Sequence, residues 1–336
     1  MLACCRQHLG ASDRAALCRA AGEPLCWEAV LATALGHQIA PLILENLEQC
    51  GAVHARLPAE VARDFAAARS RTVTEKRDCA RALESALRDF RDLGIDVMLI
   101  KGAALDRCVY EKPWFTSTSD VDLCLRVEWS GLAPDVRRDI ETRRGEQPAI
   151  DAHAGIHPDL LLHGLLQPDV ERVWKDAVRV KIGEGDLSAL VMSVPDQLLF
   201  ACIDSGGKHF FRLKSLCGIG ELVRRHSDLD WDAFGRSANS ARASGLAYTA
   251  LAAAGVATGC ELPEDLARRL RVSWARAALI RFLVVRLSYG SLATVRRSTT
   301  GLGKLFDRRN LLLAASLDGR QLLRGAHGAL ARGARR

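Results

Sequence analysis

The sequence predicts an α+β fold, a small sheet-containing core with helical segments before and after it. Three observations predict it. Apolar residues recur at three- and four-residue steps up to Leu93, the helical period. From Ile95 the pattern changes to short β-branched runs between glycines and polar loops. From Val194 the helical period returns. The expected organisation is a helical segment at 1–94, a sheet core at 95–185, a helical domain at 186–319 and a basic tail at 320–336.

Each element has a local reason. Residues 11–21 are Ala-rich, with Ser12 placed as a cap. The run 27–47 carries Val30, Leu31, Leu35, Ile39, Leu42 and Leu47 at helical spacing, and Pro41 is expected to kink or divide it. Pro58 opens a longer amphipathic run through Phe65, Leu83 and Phe90, which Gly94 stops. The apolar stretch at 96–100 between Gly94 and Gly102 predicts a buried strand, and 103–110 a short helix. Alternation over 121–127 predicts a second strand. A helix near 136–144, a third strand at 149–154 and a fourth at 178–182 complete the core. Helices are expected at 198–205, 213–225, 231–244, 246–258 and 263–282.

Composition narrows the class. With 49% hydrophobic and 26% charged residues, the chain has an ordinary globular balance. The longest uncharged stretch, 243–260, is short and rich in small residues, so no membrane span is expected. The first twenty residues lack an apolar run and do not read as a secretory signal. Eleven scattered cysteines without C-x-x-C spacing read as reduced thiols in a cytoplasmic protein. Cys124, on the second predicted strand, reads as a space-filling thiol. Net charge is +7, with arginines concentrated towards the C-terminus. Few aromatic residues lie among them, so a solvated face and tail are expected there and nucleic acid is not an expected partner.

Three pieces of the core fit one chemistry. Asp120 and Asp122 stand two apart on a strand and so point to one face, a costly pairing unless a cation lies between them. Hard oxygen ligands of high charge suit Mg²⁺ (or Mn²⁺) together with substrate phosphates. Lys101-Gly102 follows the preceding strand and opens a helix, where backbone N–H groups and an ammonium can meet a triphosphate. Asp151 occupies the next strand, with His153 on the same face. In-line nucleotidyl transfer uses two metal ions held by about three carboxylates. Asp120 and Asp122 would hold both, and Asp151 would complete the acceptor-side site and act as base. His153 would either orient Asp151 or touch the nucleotide. Taken singly, Lys101 reads as a surface lysine and His153 as a satisfied buried histidine; the order of the motifs carries the expectation.

The segment Ile100-Lys101-Gly102-Ala103-Ala104-Leu105, then Tyr110, then Ser119-Asp120-Val121-Asp122-Leu123, resembles a bacterial family of uncharacterised nucleotidyltransferases in the polymerase beta superfamily. Ile150-Asp151-Ala152-His153 resembles that family's acidic strand. Pro195-Asp196-Gln197-Leu198-Leu199, Lys208 to Lys214, Leu229-Asp230-Trp231 and Leu262-Pro263 extend the likeness. It implies a mixed-sheet nucleotidyltransferase core flanked by helices. It also implies a metal-dependent enzyme that takes a nucleoside triphosphate as substrate. Catalytic and metal-binding roles fall on Asp120, Asp122 and Asp151, and nucleotide binding on Lys101, Gly102, Ser119 and His153. The expected acceptor is a hydroxyl or phosphate of a small molecule, peptide or protein. Two departures, Thr116 where the family often has an Arg and Gly218 where it has an acidic residue, support an alternative: a catalytically degraded nucleotide-binding regulatory module.

Overall fold

The computed structural model describes residues 4–51, 56–118, 120–145, 148–156, 164–286, 312–313 and 315–317. The basic tail expected at 320–336 lies outside them. By packing, the described residues fall into two units, one holding the N-terminal helices with the sheet and the other the later helices.

In the first unit α1 (Ala11–Gly22), α2 (Trp27–Gly36) and α3 (Ala40–Gln49) precede a 34-residue helix, α4 (Ala59–Asp92). The run 27–47 divides at 37–39, where Gln38 takes a φ of 61°. Pro41 lies in the first turn of α3, where its missing N–H costs nothing. Buried α4 residues step by three and four through Val61, Phe65, Ala68, Thr72, Lys76, Cys79, Leu83, Leu87 and Phe90. The helix packs on α2 and α3, and its second half lies on the sheet. Gly94, at φ 69°, ends it, and the Ile95 N–H donates to the Phe90 carbonyl at 2.8 Å, the six-to-one bond of a glycine stop.

The sheet is mixed, with strand order β3-β2-β1-β5-β4. β1 (Val97–Leu99) runs antiparallel to β2 (Asp120–Leu125), and β2 runs parallel to β3 (Ala149–Ala154). β4 (Val178–Lys181) pairs antiparallel with β5 (Ser188–Val191), which lies parallel to β1. α5 (Lys101–Cys108) joins β1 to β2, and α6 (Pro134–Gly145) joins β2 to β3. The strand at 188–191 was not expected. It has four residues and runs almost directly into a helix, too short for alternation to show. The sheet therefore extends past residue 185, with β5 in an interior position.

Strand parity separates the two faces of the sheet. Val97, Leu99, Val121, Leu123, Leu125, Ile150, Ala152, Ala189 and Val191 join Leu83, Leu87 and Phe90 of α4 and Ile140 of α6 in one core. The alternate positions Met98, Asp122, Cys124, Asp151 and His153 belong to the other face.

The second unit is helical: α8 (Val194–Gly207), α9 (Leu213–Arg225), α10 (Trp231–Ser240), α11 (Ser244–Thr258), α12 (Leu266–Arg269) and α13 (Trp274–Val285). The six-residue α7 (Val170–Lys175) precedes β4. α11, rich in alanine and almost wholly buried, packs against α8, α9 and α13. Asp196, fully buried in the first turn of α8, takes a two-pronged ion pair from Arg172 at 2.5 and 3.1 Å. The helix expected at 263–282 is two helices, broken where Arg271 adopts a φ of 51°. Among the described residues no helix is long and apolar enough to cross a membrane. All eleven cysteines are free thiols.

Leu123 is fully buried on the core face of β2. Leu123→Ala should lower the unfolding free energy by about 2–5 kcal/mol, the range for a leucine cavity in a packed core. Urea denaturation measures this, and a loss under about 1 kcal/mol would mean that this face of the sheet is not the core.

Candidate active site

β2 and β3 pair in parallel with Asp122 directly opposite Asp151. Neighbours matched in a ladder lie on one face, so the two carboxylates stand side by side. His153, two residues beyond Asp151, shares that face, opposite Cys124. Its Nε2 lies 2.9 Å from Asp151 Oδ2. One ligand atom each from Asp122, Asp151 and His153 lie within 4.8 Å of one another. Asp122 and His153 are buried and Asp151 is half-buried. Asp120 begins the strand on the same face, exposed at its open end and outside that group of three.

The turn from β1 into α5 brings a cation to this group. Lys101 Nζ donates to Asp122 Oδ1 at 2.5 Å. Lys101 holds a φ of 49°, a left-handed conformation that costs a side-chain-bearing residue about 1 kcal/mol or more. The next residue has little room: a Cβ on Gly102 would sit 3.3 Å from Thr118 Oγ1, closer than ordinary contact. The Ile100 N–H donates to the Asp122 carbonyl at 3.3 Å, so the start of α5 is tied to β2 at the carboxylate. Ser119, named above for nucleotide binding, lies outside the described residues. Thr116, at the position where the resemblance led one to expect an Arg, is buried and brings no charge.

Sequence reasoning missed a second polar layer. Lys76, buried on α4, forms an ion pair with Asp106 of α5. Thr72, one turn earlier, shares a hydrogen bond with Ser117 at 3.0 Å. The signal was present in the sequence, because Thr72 and Lys76 interrupt the apolar stripe of α4 at two consecutive inward positions. These contacts fix α5 and the 116–118 segment against the long helix.

Burial is the main influence on Asp122 and lifts its pKa above the usual carboxylate range. Lys101 pulls it back, while Asp120 and Asp151 repel the charge and add to the rise. Burial pushes the Cys124 thiol up to about 12, so at neutral pH it is an uncharged filler on the same face, opposite His153, and not a nucleophile. Two carboxylates and an imidazole, converging and partly desolvated, form a donor set that fits a divalent cation.

The raised Asp122 pKa has a thermodynamic consequence. The folded chain holds that proton to a higher pH than the unfolded chain does. Asp122's contribution to stability is therefore greatest at acid pH and declines as pH rises from the unfolded pKa through the folded one. In metal-free buffer at pH 7, Asp122→Asn should match or exceed the wild type in stability. A loss above about 1 kcal/mol in urea denaturation, an ordinary point-mutation loss, would mean that the Lys101 pairing outweighs the burial penalty.

A family model described as an uncharacterised nucleotidyltransferase matches residues 23–259. The match covers well over half of the chain and includes the whole sheet with Lys101, Asp120, Asp122, Asp151 and His153. No curated protein and no solved structure matches the chain. The site thus lies within the matched span, on the β2–β3 pair, and the chain belongs to this family of nucleotidyltransferases.

Proposed function

We propose that the chain transfers a nucleoside monophosphate from a nucleoside triphosphate to a hydroxyl or phosphate of a small molecule, peptide or protein, in the cytoplasm. The observation that carries this reading is the register of Asp122 against Asp151, which sets two carboxylates side by side on one face of the sheet. The eleven free thiols support the compartment.

A divalent ion such as Mg²⁺ or Mn²⁺, when bound, would supply positive charge to offset that of the triphosphate and polarise the phosphorus under attack. Asp122 and Asp151 would hold it, with Asp120 extending the carboxylate set at the open end of β2. Lys101 would leave Asp122 for the phosphate oxygens, and the N–H groups at the start of α5, around Gly102, would face them. Asp151 would take the proton of an acceptor hydroxyl while His153 steadies its carboxylate. The new bond joins the acceptor oxygen to the α-phosphorus, and the bond to pyrophosphate breaks. A second reading, a regulatory module that binds nucleotide without turnover, draws on the Lys101–Asp122 ion pair, which occupies a carboxylate that catalysis needs.

Each nucleoside triphosphate, with Mg²⁺ or Mn²⁺, is to be tested for a rise in melting temperature, because substrate phosphates complete such a metal site. At least one should produce a rise, and Asp122→Asn should abolish it. No shift with any of the four triphosphates would remove the reading. With the productive triphosphate and an acceptor-containing cell extract, Asp151→Asn should reduce pyrophosphate release about a hundredfold or more, the usual scale for losing a general base. Binding without any pyrophosphate release would favour the regulatory module.

A further inference from the structure

We infer that His153 is itself a metal ligand, and that its imidazole makes the site select Mn²⁺ over Mg²⁺. The inference rests on the metal-dependent reading above and goes beyond it in naming the third ligand and the ion it favours.

The geometry places a ring nitrogen where a carboxylate would be expected. Alternation puts Asp151 and His153 on one face of β3, and the parallel register sets Asp122 beside them. Ligand atoms from these three residues lie within 4.8 Å of one another. A divalent ion with bonds of about 2.1 Å spans about 4.2 Å between opposite ligands. Closing the group onto an ion therefore needs shifts of only a few tenths of an ångström in each side chain. Asp120, the other candidate for a third ligand, is exposed at the mouth of β2 and lies outside the group. It remains available to phosphate-bound metal at the open end.

A histidine that only oriented Asp151 would need one ring nitrogen near that carboxylate. Here a ring nitrogen also lies within 4.8 Å of an Asp122 oxygen, so the imidazole is within the span of one ion's ligands from both carboxylates. His153 is buried, with about a tenth of its side chain exposed, which limits competition from water for that position.

The ligand set decides the ion. Mg²⁺ prefers oxygen ligands and retained waters, whereas first-row transition ions take imidazole nitrogen, and mixed carboxylate–histidine sets hold manganese in di-manganese helix bundles. A site made of Asp122, Asp151 and His153 should therefore bind Mn²⁺ more tightly than Mg²⁺, and His153 should be the source of the difference.

The test uses the full chain titrated with Mn²⁺, alone and with the four nucleoside triphosphates, followed by paramagnetic resonance. Pulsed measurements on bound Mn²⁺ should show coupling to an imidazole ¹⁴N. The coupling should change to the ¹⁵N pattern when the protein is labelled with ¹⁵N-histidine, which separates it from nitrogens of a nucleobase. It should vanish in His153→Asn, and the Mn²⁺-over-Mg²⁺ preference should fall about tenfold or more in that variant, the scale on which losing a metal-site partner lowers affinity. If His153→Asn fails to fold, the wild-type labelling result still decides whether histidine is bound, and loss of the coupled Mn²⁺ in Asp122→Asn locates it. Mn²⁺ that binds in an Asp122-dependent way without histidine coupling overturns the inference and leaves the metal-dependent reading standing. No Asp122-dependent Mn²⁺ under either condition overturns both.

Discussion

Asp122 and Asp151 face one another across the β2–β3 ladder, where burial and the neighbouring carboxylates disfavour the ionised form of Asp122 and a nearby cation favours it. Much of the surrounding architecture follows from that constraint. In the structure Lys101 supplies the charge, from a left-handed backbone position between β1 and α5. Gly102 allows the turn to press against Thr118, and the Ile100–Asp122 backbone bond anchors the start of α5. Lys76 and Asp106 hold α5 to the long helix. The opposite face of the same strands is apolar and packed on α4 and α6, so the carboxylates stand on a scaffold stabilised from behind. A site whose like charges are held together on a rigid core is costly to the free protein and suited to a charged ligand.

The pairing of Lys101 with Asp122 also affects how the site could work. An ammonium on a carboxylate is a weaker counter-ion than a divalent cation, and a triphosphate offers that ammonium another partner. Metal and nucleotide would then assist one another: the nucleotide draws Lys101 away, and the freed carboxylate holds the ion. The backbone strain at Lys101 fits such a role, since unfavourable conformations persist where surrounding structure holds a functional group in place.

Much of this was legible from the residues. Alternation around Asp120-Val121-Asp122 and Asp151-Ala152-His153 identifies two strands and the face their polar side chains share, because a strand has a two-residue period. The long period of α4 and its glycine stop were equally readable. Interactions set by tertiary pairing were not. Nothing local fixes Asp122 opposite Asp151, because parallel register depends on the intervening α6 crossover. β5 escaped notice because four residues beside a helix carry no readable alternation, and Arg271 breaks a helix with a residue that gives no turn signal. The Lys101–Asp122 ion pair likewise joins the β1–α5 turn to β2 and has no local signal. Thr72 and Lys76 show the reverse case: two polar residues on an apolar stripe pointed to a buried polar layer that only packing could interpret.

The proposed function requires Asp122 and Asp151 to share a divalent cation with a triphosphate. Crystals of the full chain grown with Mn²⁺ and a non-hydrolysable nucleoside triphosphate test it most directly, through anomalous scattering from the ion. A peak is expected about 2.1–2.2 Å from carboxylate oxygens of both Asp122 and Asp151, with Lys101 moved from Asp122 to the phosphates. A peak elsewhere on the chain, or bound nucleotide with the Lys101–Asp122 pair intact and no ion between the carboxylates, would contradict it.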